Sequence, residues 1–243
     1  MRFSPRVERL RGAFLAGACL GVFLGAAPST GLVQLDSQLV LGRYLAALGS
    51  VKQPPYVVFS YRVSQAGAHN IEQTHRIFRG GSKERDETVS VEGDPVKTVQ
   101  VVAVDDRYAV GRLAPRTGAY TFLFLQTRRH GKHLDYVYAT EPLTPSNFTM
   151  NEVVVDGESY LPSLIRFTSV ARGVHASGSI AYAKAGRYWM PIVATAAASI
   201  GGHPTRERLA WSGYSFPSSL PPATFIQPKA LTVPKITASP LPL

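Results

Sequence analysis

The sequence predicts a mainly β protein: a large curved antiparallel sheet, an open half-barrel, with an N-terminal amphipathic helix packed on the concave face. Three observations predict it. One early stretch carries apolar residues at helical spacing. From Tyr56 onward the apolar period is two, in run after run, each closed by a turn rich in Gly, Asp or Pro. Of the 243 residues 45% are hydrophobic and 17% charged, which supplies a core and argues against a coiled coil or general disorder. A helix with one apolar stripe must bury it, and the broad surface on offer is the hollow side of the sheet.

The elements follow in order. Met1–Arg11 carries Arg2, Arg6, Arg9 and Arg11, and Gly12–Ala27 is an unbroken apolar run of 16 residues. A basic start, such a run and the small residues Pro28-Ser29-Thr30-Gly31 read as an export signal. A membrane span needs about 20 apolar residues. Cleavage is expected after Ser29 or Gly31, so residues 1–31 are assigned to the signal. An uncleaved anchor and a lipid-modified Cys19 are the alternatives. Cys19 is the single cysteine, so the mature chain holds no disulfide and no thiol nucleophile.

Asp36 and Ser37 are good cap residues, and Leu41, Tyr44, Leu45 and Leu48 follow at i, i+3, i+4 and i+7. The spacing predicts a helix over Ser37–Leu48, ended by Gly49 and Pro54-Pro55. Val57, Phe59, Tyr61 and Val63 then alternate with Val58, Ser60 and Arg62 as a first strand. Further strands are predicted over Ile71–Arg79, Glu87–Val91, Val96–Val104, Arg107–Leu113, Tyr120–Thr127 and Leu134–Thr140. Asn151–Val155, Ser163–Ser169, Gly178–Ala183, Arg187–Ala197 and Arg206–Ser215 complete the series. The turns include Gln65-Ala66-Gly67-Ala68, Asp156-Gly157 and Ala171-Arg172-Gly173. Residues 32–226 make up this β domain. From Pro217 to Leu243 there are seven Pro in 27 residues, and 227–243 is expected to be a mobile tail.

Lys and Arg total 26 against 16 Asp and Glu; removing residues 1–31 takes away four Arg and one Glu and lowers the formal charge from +10 to +7. An exported basic protein meets anionic membrane components more readily than nucleic acid, so no nucleic-acid partner is expected. No metalloprotease, nucleophile-elbow or nucleotide-binding motif occurs, and no catalytic residue is assigned. His130 and His133 stand in Arg128-Arg129-His130-Gly131-Lys132-His133. The cations there repel a divalent ion, so no metal and no cofactor are expected. Arg128, Arg129 and Lys132 are instead candidates for an anionic headgroup contact. Lys83–Glu87, of alternating sign, reads as an exposed strand end. His75 reads as a strand residue rather than a base. Trp189, after Tyr188 and before Met190-Pro191, fits either a pocket wall or core.

Four stretches stand out together: the opening LGRYLAALGSVKQPPYVVFSYRV, then THRIFRGGSKERDETVSVEGDPVKTVQVV, and the closing GSIAYAKAGRYWMPIVATA and ERLAWSGYSFPSSLPPATF. With the helix-then-strands layout they resemble the LolA-like superfamily, which includes lipoprotein carriers and the N-terminal domain of RseB/MucB regulators. The resemblance implies an open barrel around an apolar cavity closed by a helix, and a lipid, acyl chain or lipoprotein as ligand. The expectation is therefore an exported, periplasmic, non-enzymatic binding protein. Its cavity residues would be Leu41, Tyr44, Leu45, Leu48, Val57, Phe59, Tyr61, Val63 and Trp189. The alternative is a cell-envelope regulatory or structural protein that docks a membrane partner. The helix is expected to be a lid, so that Leu45→Asp would abolish uptake and leave the sheet folded.

Overall fold

The computed structural model describes residues 34–67, 70–171 and 173–228. The expected export signal and residues 229–243 of the tail lie outside the described residues, as do Ala68 and Arg172 of two predicted turns. Among the described residues no helix is long and apolar enough to cross a membrane.

Helix α1 spans Ser37–Ser50. The Asp36 carboxylate starts it by accepting from the backbone N–H of Gln38 at 2.9 Å and of Leu39 at 3.1 Å, which satisfies two donors that a helix leaves open. Its buried stripe is Val40, Tyr44 and Leu48. Leu41 and Leu45, expected on that stripe, are half-buried at its flank.

The strands are β1 (Tyr56–Ala66), β2 (Ile71–Gly80), β3 (Lys83–Val91), β4 (Asp94–Ala103), β5 (Tyr120–His130), β6 (His133–Pro142), β7 (Phe148–Val155), β8 (Pro162–Ala171), β9 (Val174–Ala185), β10 (Tyr188–Ile200) and β11 (His203–Ser215). They form one 11-stranded antiparallel sheet in the order β4-β3-β2-β1-β11-β10-β9-β8-β7-β6-β5. The order makes β4 and β5, consecutive in sequence, the two opposite edges.

That order explains the one predicted strand that does not form. Arg107–Leu113 is a turn followed by a short helix, α2 (Val110–Leu113), within the link between β4 and β5. The alternation of Tyr108 and Val110 with Arg107, Ala109 and Gly111 imitates a strand, but the link must carry the chain from one edge to the other. Ten strand spacings in a flat sheet come to about 48 Å. Roughly 16 residues, four of them helical, reach about 46 Å at full stretch. The sheet therefore has to curl, and the link runs through the hollow, where Val110, Leu113 and Ala114 are buried.

Curvature leaves an apolar row across the concave face, legible from the ladders: Val63 opposite Leu209, then Ala194, Ile180, Ile165, Val153, Tyr138 and Phe124. On the other side of β1 the rows turn polar. Tyr61 faces His75 and then Thr88, and Val57 faces Arg79 and then Glu84. The concave face thus has an apolar half, β5 to β11, and a polar half, β2 to β4.

Candidate functional site

Helix α1 lies over the apolar half. Tyr44 meets Phe122 edge-on at 6.0 Å, and its hydroxyl donates to the Pro115 carbonyl at 2.8 Å. The Tyr138 hydroxyl donates to the Ser37 carbonyl at 2.6 Å, and the Leu35 N–H donates to the Tyr136 hydroxyl at 2.8 Å. Arg43 sits over the Tyr160 ring, 5.0 Å from its centre. These partners belong to β5, β6, the link and the turn after β7. With Val40 and Tyr44 fully buried, the helix fills its part of the hollow as core.

The predicted cavity residues therefore divide. Tyr44 and Leu48 are core beneath the helix, with Leu41 and Leu45 packed against them. Val57 and Phe59 belong to a second cluster with Ile77, Tyr188 and Met190. Tyr61 and Val63, half-buried, pack against the main core and face an open space. Trp189 is half-buried, and its indole N–H donates to the Pro162 carbonyl at 2.8 Å.

The open space is a cavity of about 430 Å³ beside β1 and β11, where α1 does not reach. Its apolar walls are Phe59, Tyr61, Val63, Ile71, Leu209 and Trp211. A smaller cleft of about 200 Å³ shares Phe59, Arg79, Asp105, Tyr108 and Trp211 with it, and adds Trp189 and Met190. Tyr108 meets Trp211 edge-on at 5.0 Å, and burial pushes its phenol well above the ordinary range. The link between β4 and β5 thus supplies the wall that the helix does not.

Charges mark the polar end of the cavity. Arg79 is paired with Glu84 and Arg107 with Asp105 at 2.6 Å. Glu84 is 7% exposed; burial pushes its carboxyl up from the usual 4.5, and the Arg79 guanidinium pulls it partly back. Glu207, 3% exposed, and Gln65 complete the lining. The Lys83–Glu87 stretch is therefore not an exposed strand end. It is the first half of β3: Glu84 and Glu87 stand opposite Arg79 and Arg76 of β2, and the Asp86 carboxylate reaches His75 Nδ1 diagonally at 2.8 Å.

His75 is a strand residue, as expected, and is fully buried. The Tyr61 ring stacks on it at 4.6 Å, its Nδ1 lies 2.8 Å from Asp86 and its Nε2 3.3 Å from Gln73. That geometry locks a polar layer behind the cavity wall.

Arg128, Arg129 and Lys132 lie at the β5–β6 hairpin tip, all exposed. Arg128 is 4.0 Å from Glu152, and the Arg129 Nε–H donates to the Gly131 carbonyl. Gly131 holds φ +58° as the first residue of the two-residue turn, where tight hairpins demand a positive φ. The sequence reading missed Arg79, Glu84, Asp105, Arg107, Tyr108, Leu209 and Trp211 as cavity residues. Only the Tyr108–Leu113 segment offered a signal, two helix-compatible apolar residues three apart, Val110 and Leu113, beside an Asp-Asp turn.

The geometry defines a class: a single open sheet wrapped around a partly filled hollow. No family model and no curated protein matches the sequence. Among solved structures the chain is similar to a LolA superfamily protein from Nitrosomonas europaea, at 14% identity over 80% of this chain and 99% of that one, with a TM-score of 0.40. A domain from Vibrio parahaemolyticus assigned to outer membrane lipoprotein sorting matches at 13% identity over 78% and 97%, with a TM-score of 0.44. The Pseudomonas aeruginosa MucA/MucB complex matches at 12% identity over 72% and 93%, with a TM-score of 0.23.

Proposed function

We propose that this chain is an exported, non-enzymatic binding protein of the cell envelope, and that the space beside β1 and β11 holds the apolar tail of a lipid or acylated protein. The observation that carries the reading is the cavity of about 430 Å³ with aromatic and aliphatic walls at one end and paired charges at the other. That volume falls within the roughly 300–1,000 Å³ of small-molecule sites. Burial of an acyl chain supplies about 25 cal/mol for each Å² of apolar surface. Arg79 and Arg107, each paired with a carboxylate, give that end guanidinium N–H donors to which a headgroup can hydrogen-bond. The exposed Arg129 and Lys132 take the part of contacts to an anionic membrane surface.

The test uses the chain without residues 1–31. Organic extraction and mass spectrometry of the purified protein reveal a carried lipid, and titration of the delipidated protein with a fluorescent fatty acid measures uptake. Val63→Trp, which narrows the cavity, is expected to cut uptake at least tenfold with the fold intact. An empty extract together with no uptake by the parent overturns the reading. A single cross-linked envelope protein captured in their place favours the regulatory alternative.

A further inference from the structure

We propose that His130, His133, Asp135 and Asp156 form a binding site for a divalent transition-metal ion of the zinc class, clamping the β5–β6 hairpin to the turn after β7. The site lies on the far side of the sheet from the cavity. Tyr136 and Tyr138 of β6 point into the hollow core, so His133 and Asp135, at alternate positions, point the other way.

The four side chains converge by construction. His130 and His133 are the last pair of the hairpin register, and their rings are 5.0 Å apart. Asp135 lies two residues along β6, on the same face. Asp156 arrives from the turn after β7. One potential ligand atom from each residue lies within 4.8 Å of all the others. His130 Nδ1 is 3.2 Å from Asp135 Oδ2, and His133 Nε2 is 3.4 Å from Asp135 Oδ1 and 3.0 Å from Asp156 Oδ2. Ligands held tetrahedrally at about 2.1 Å from a zinc ion stand about 3.4 Å apart. Two imidazoles with two carboxylates suit zinc and its neighbours over calcium or magnesium, which take oxygen alone.

Two details point to a missing cation rather than to a chance cluster. Asp135 is 7% exposed, and its buried Oδ1 has no hydrogen-bond partner. A carboxylate oxygen buried beside a second carboxylate needs positive charge. Asp156 is pre-aimed: its Oδ1 accepts from the Ser159 N–H at 2.6 Å, the Ser159 hydroxyl at 2.7 Å and the Glu158 N–H at 3.2 Å, which leaves Oδ2 for the cluster. Outer-shell bonds of this kind orient metal ligands. The approach of the turn is equally specific. A Cβ on Gly157 would stand 1.9 Å from the Leu134 carbonyl oxygen, so only glycine lets Asp156 come this close to β6.

The neighbouring cations do not close the site. Arg128 stands opposite Asp135 in the ladder, but its guanidinium lies 4.0 Å from Glu152, which also pairs with Arg166 at 3.1 Å, and Arg129 is on the opposite face of β5 from His130. Glu158 adds further negative charge, 3.9 Å from His133 Nδ1.

The test titrates zinc into the chelator-treated chain by calorimetry at neutral pH and follows thermal unfolding with and without the ion. One equivalent binds, and excess metal raises the melting temperature by several degrees through mass action. His130→Ala, at an exposed position, and Asp135→Asn, which keeps shape and removes charge, both abolish stoichiometric binding and the thermal gain. Both fold as the parent does. His203→Ala, away from the cluster, leaves binding unchanged. Absence of stoichiometric binding to the parent overturns the proposal and reduces the cluster to ion pairs. Undiminished binding by both site variants overturns it equally, by moving the ion elsewhere.

Discussion

Replacing Tyr44 decides between a helix that moves and a helix that is core. The side chain is fully buried, packs edge-on against Phe122 and donates to the Pro115 carbonyl at 2.8 Å. Tyr44→Phe keeps the ring and strips that carbonyl of its partner, at a cost of about 2 kcal/mol. Tyr44→Ala removes a whole aromatic ring from a site walled by strands on one side and the β4–β5 link on the other, at a cost of about 4 kcal/mol. For a domain of this size each kcal/mol shifts the melting temperature by roughly 3 °C, so the expected falls are about 6 °C and about 12 °C. Thermal unfolding followed by circular dichroism measures both, alongside fatty-acid uptake well below the transition. Uptake is expected to survive in both variants, because the cavity beside β1 does not depend on α1 for its walls. A melting temperature within 2–3 °C of the parent, with uptake lost in Tyr44→Ala, would refute the reasoning and restore the helix as a lid.

Glu84 makes stability depend on pH in a defined sense. Burial raises its folded-state pKa above the usual 4.5, so the folded chain holds this proton more tightly than the unfolded one. Its contribution is complete below about pH 4.5 and is lost as pH rises through the folded value. The parent should therefore lose stability over that window faster than Glu84→Gln, and parallel curves of melting temperature against pH would count against the assignment. At the start of α1, Asp36→Ala removes the acceptor for the Gln38 and Leu39 N–H groups and is expected to cost about 1 kcal/mol. The urea midpoint reads that loss directly, and an unchanged midpoint would mean that water caps the helix equally well.

What the sequence disclosed follows from the range of the forces involved. The helix and most of the strands are local patterns, a stripe with period 3.6 or an alternation with period two, and both survive without tertiary information. Arg107–Leu113 misled because its alternation is real, while its fate was decided by β4 and β5 lying at opposite edges. Lys83–Glu87 differs from expectation because a charged run need not be an exposed one. Arg79 and His75 meet those carboxylates only once β2 and β3 pair. The cavity escaped for a related reason. Its walls come from β1, β11 and the link, and Tyr61 and Trp211, 150 positions apart in the numbering, become neighbours only through the ladder. The His130–His133 pair was visible, but Asp156 lies 23 residues beyond His133, and only the hairpin and the following turn bring them together.

The pairing of β1 with β11 also dictates an order of events during folding. Strands β1 to β4 form a meander of neighbouring hairpins, and β5 to β11 form another, each assembled from local contacts. The seam between them joins Ser60 to Ser212 and Ala66 to Arg206, so it cannot close until nearly the whole chain has been released. Until then β1 has a bare edge, with Tyr61 and Val63 uncovered beside it. Long-range seams of this kind close slowly and are open to wrong partners in the meantime. A chain delivered from its N-terminus passes through that half-finished state every time. Agents that mask the edge of β1 should act on yield far more than on the stability of the finished protein.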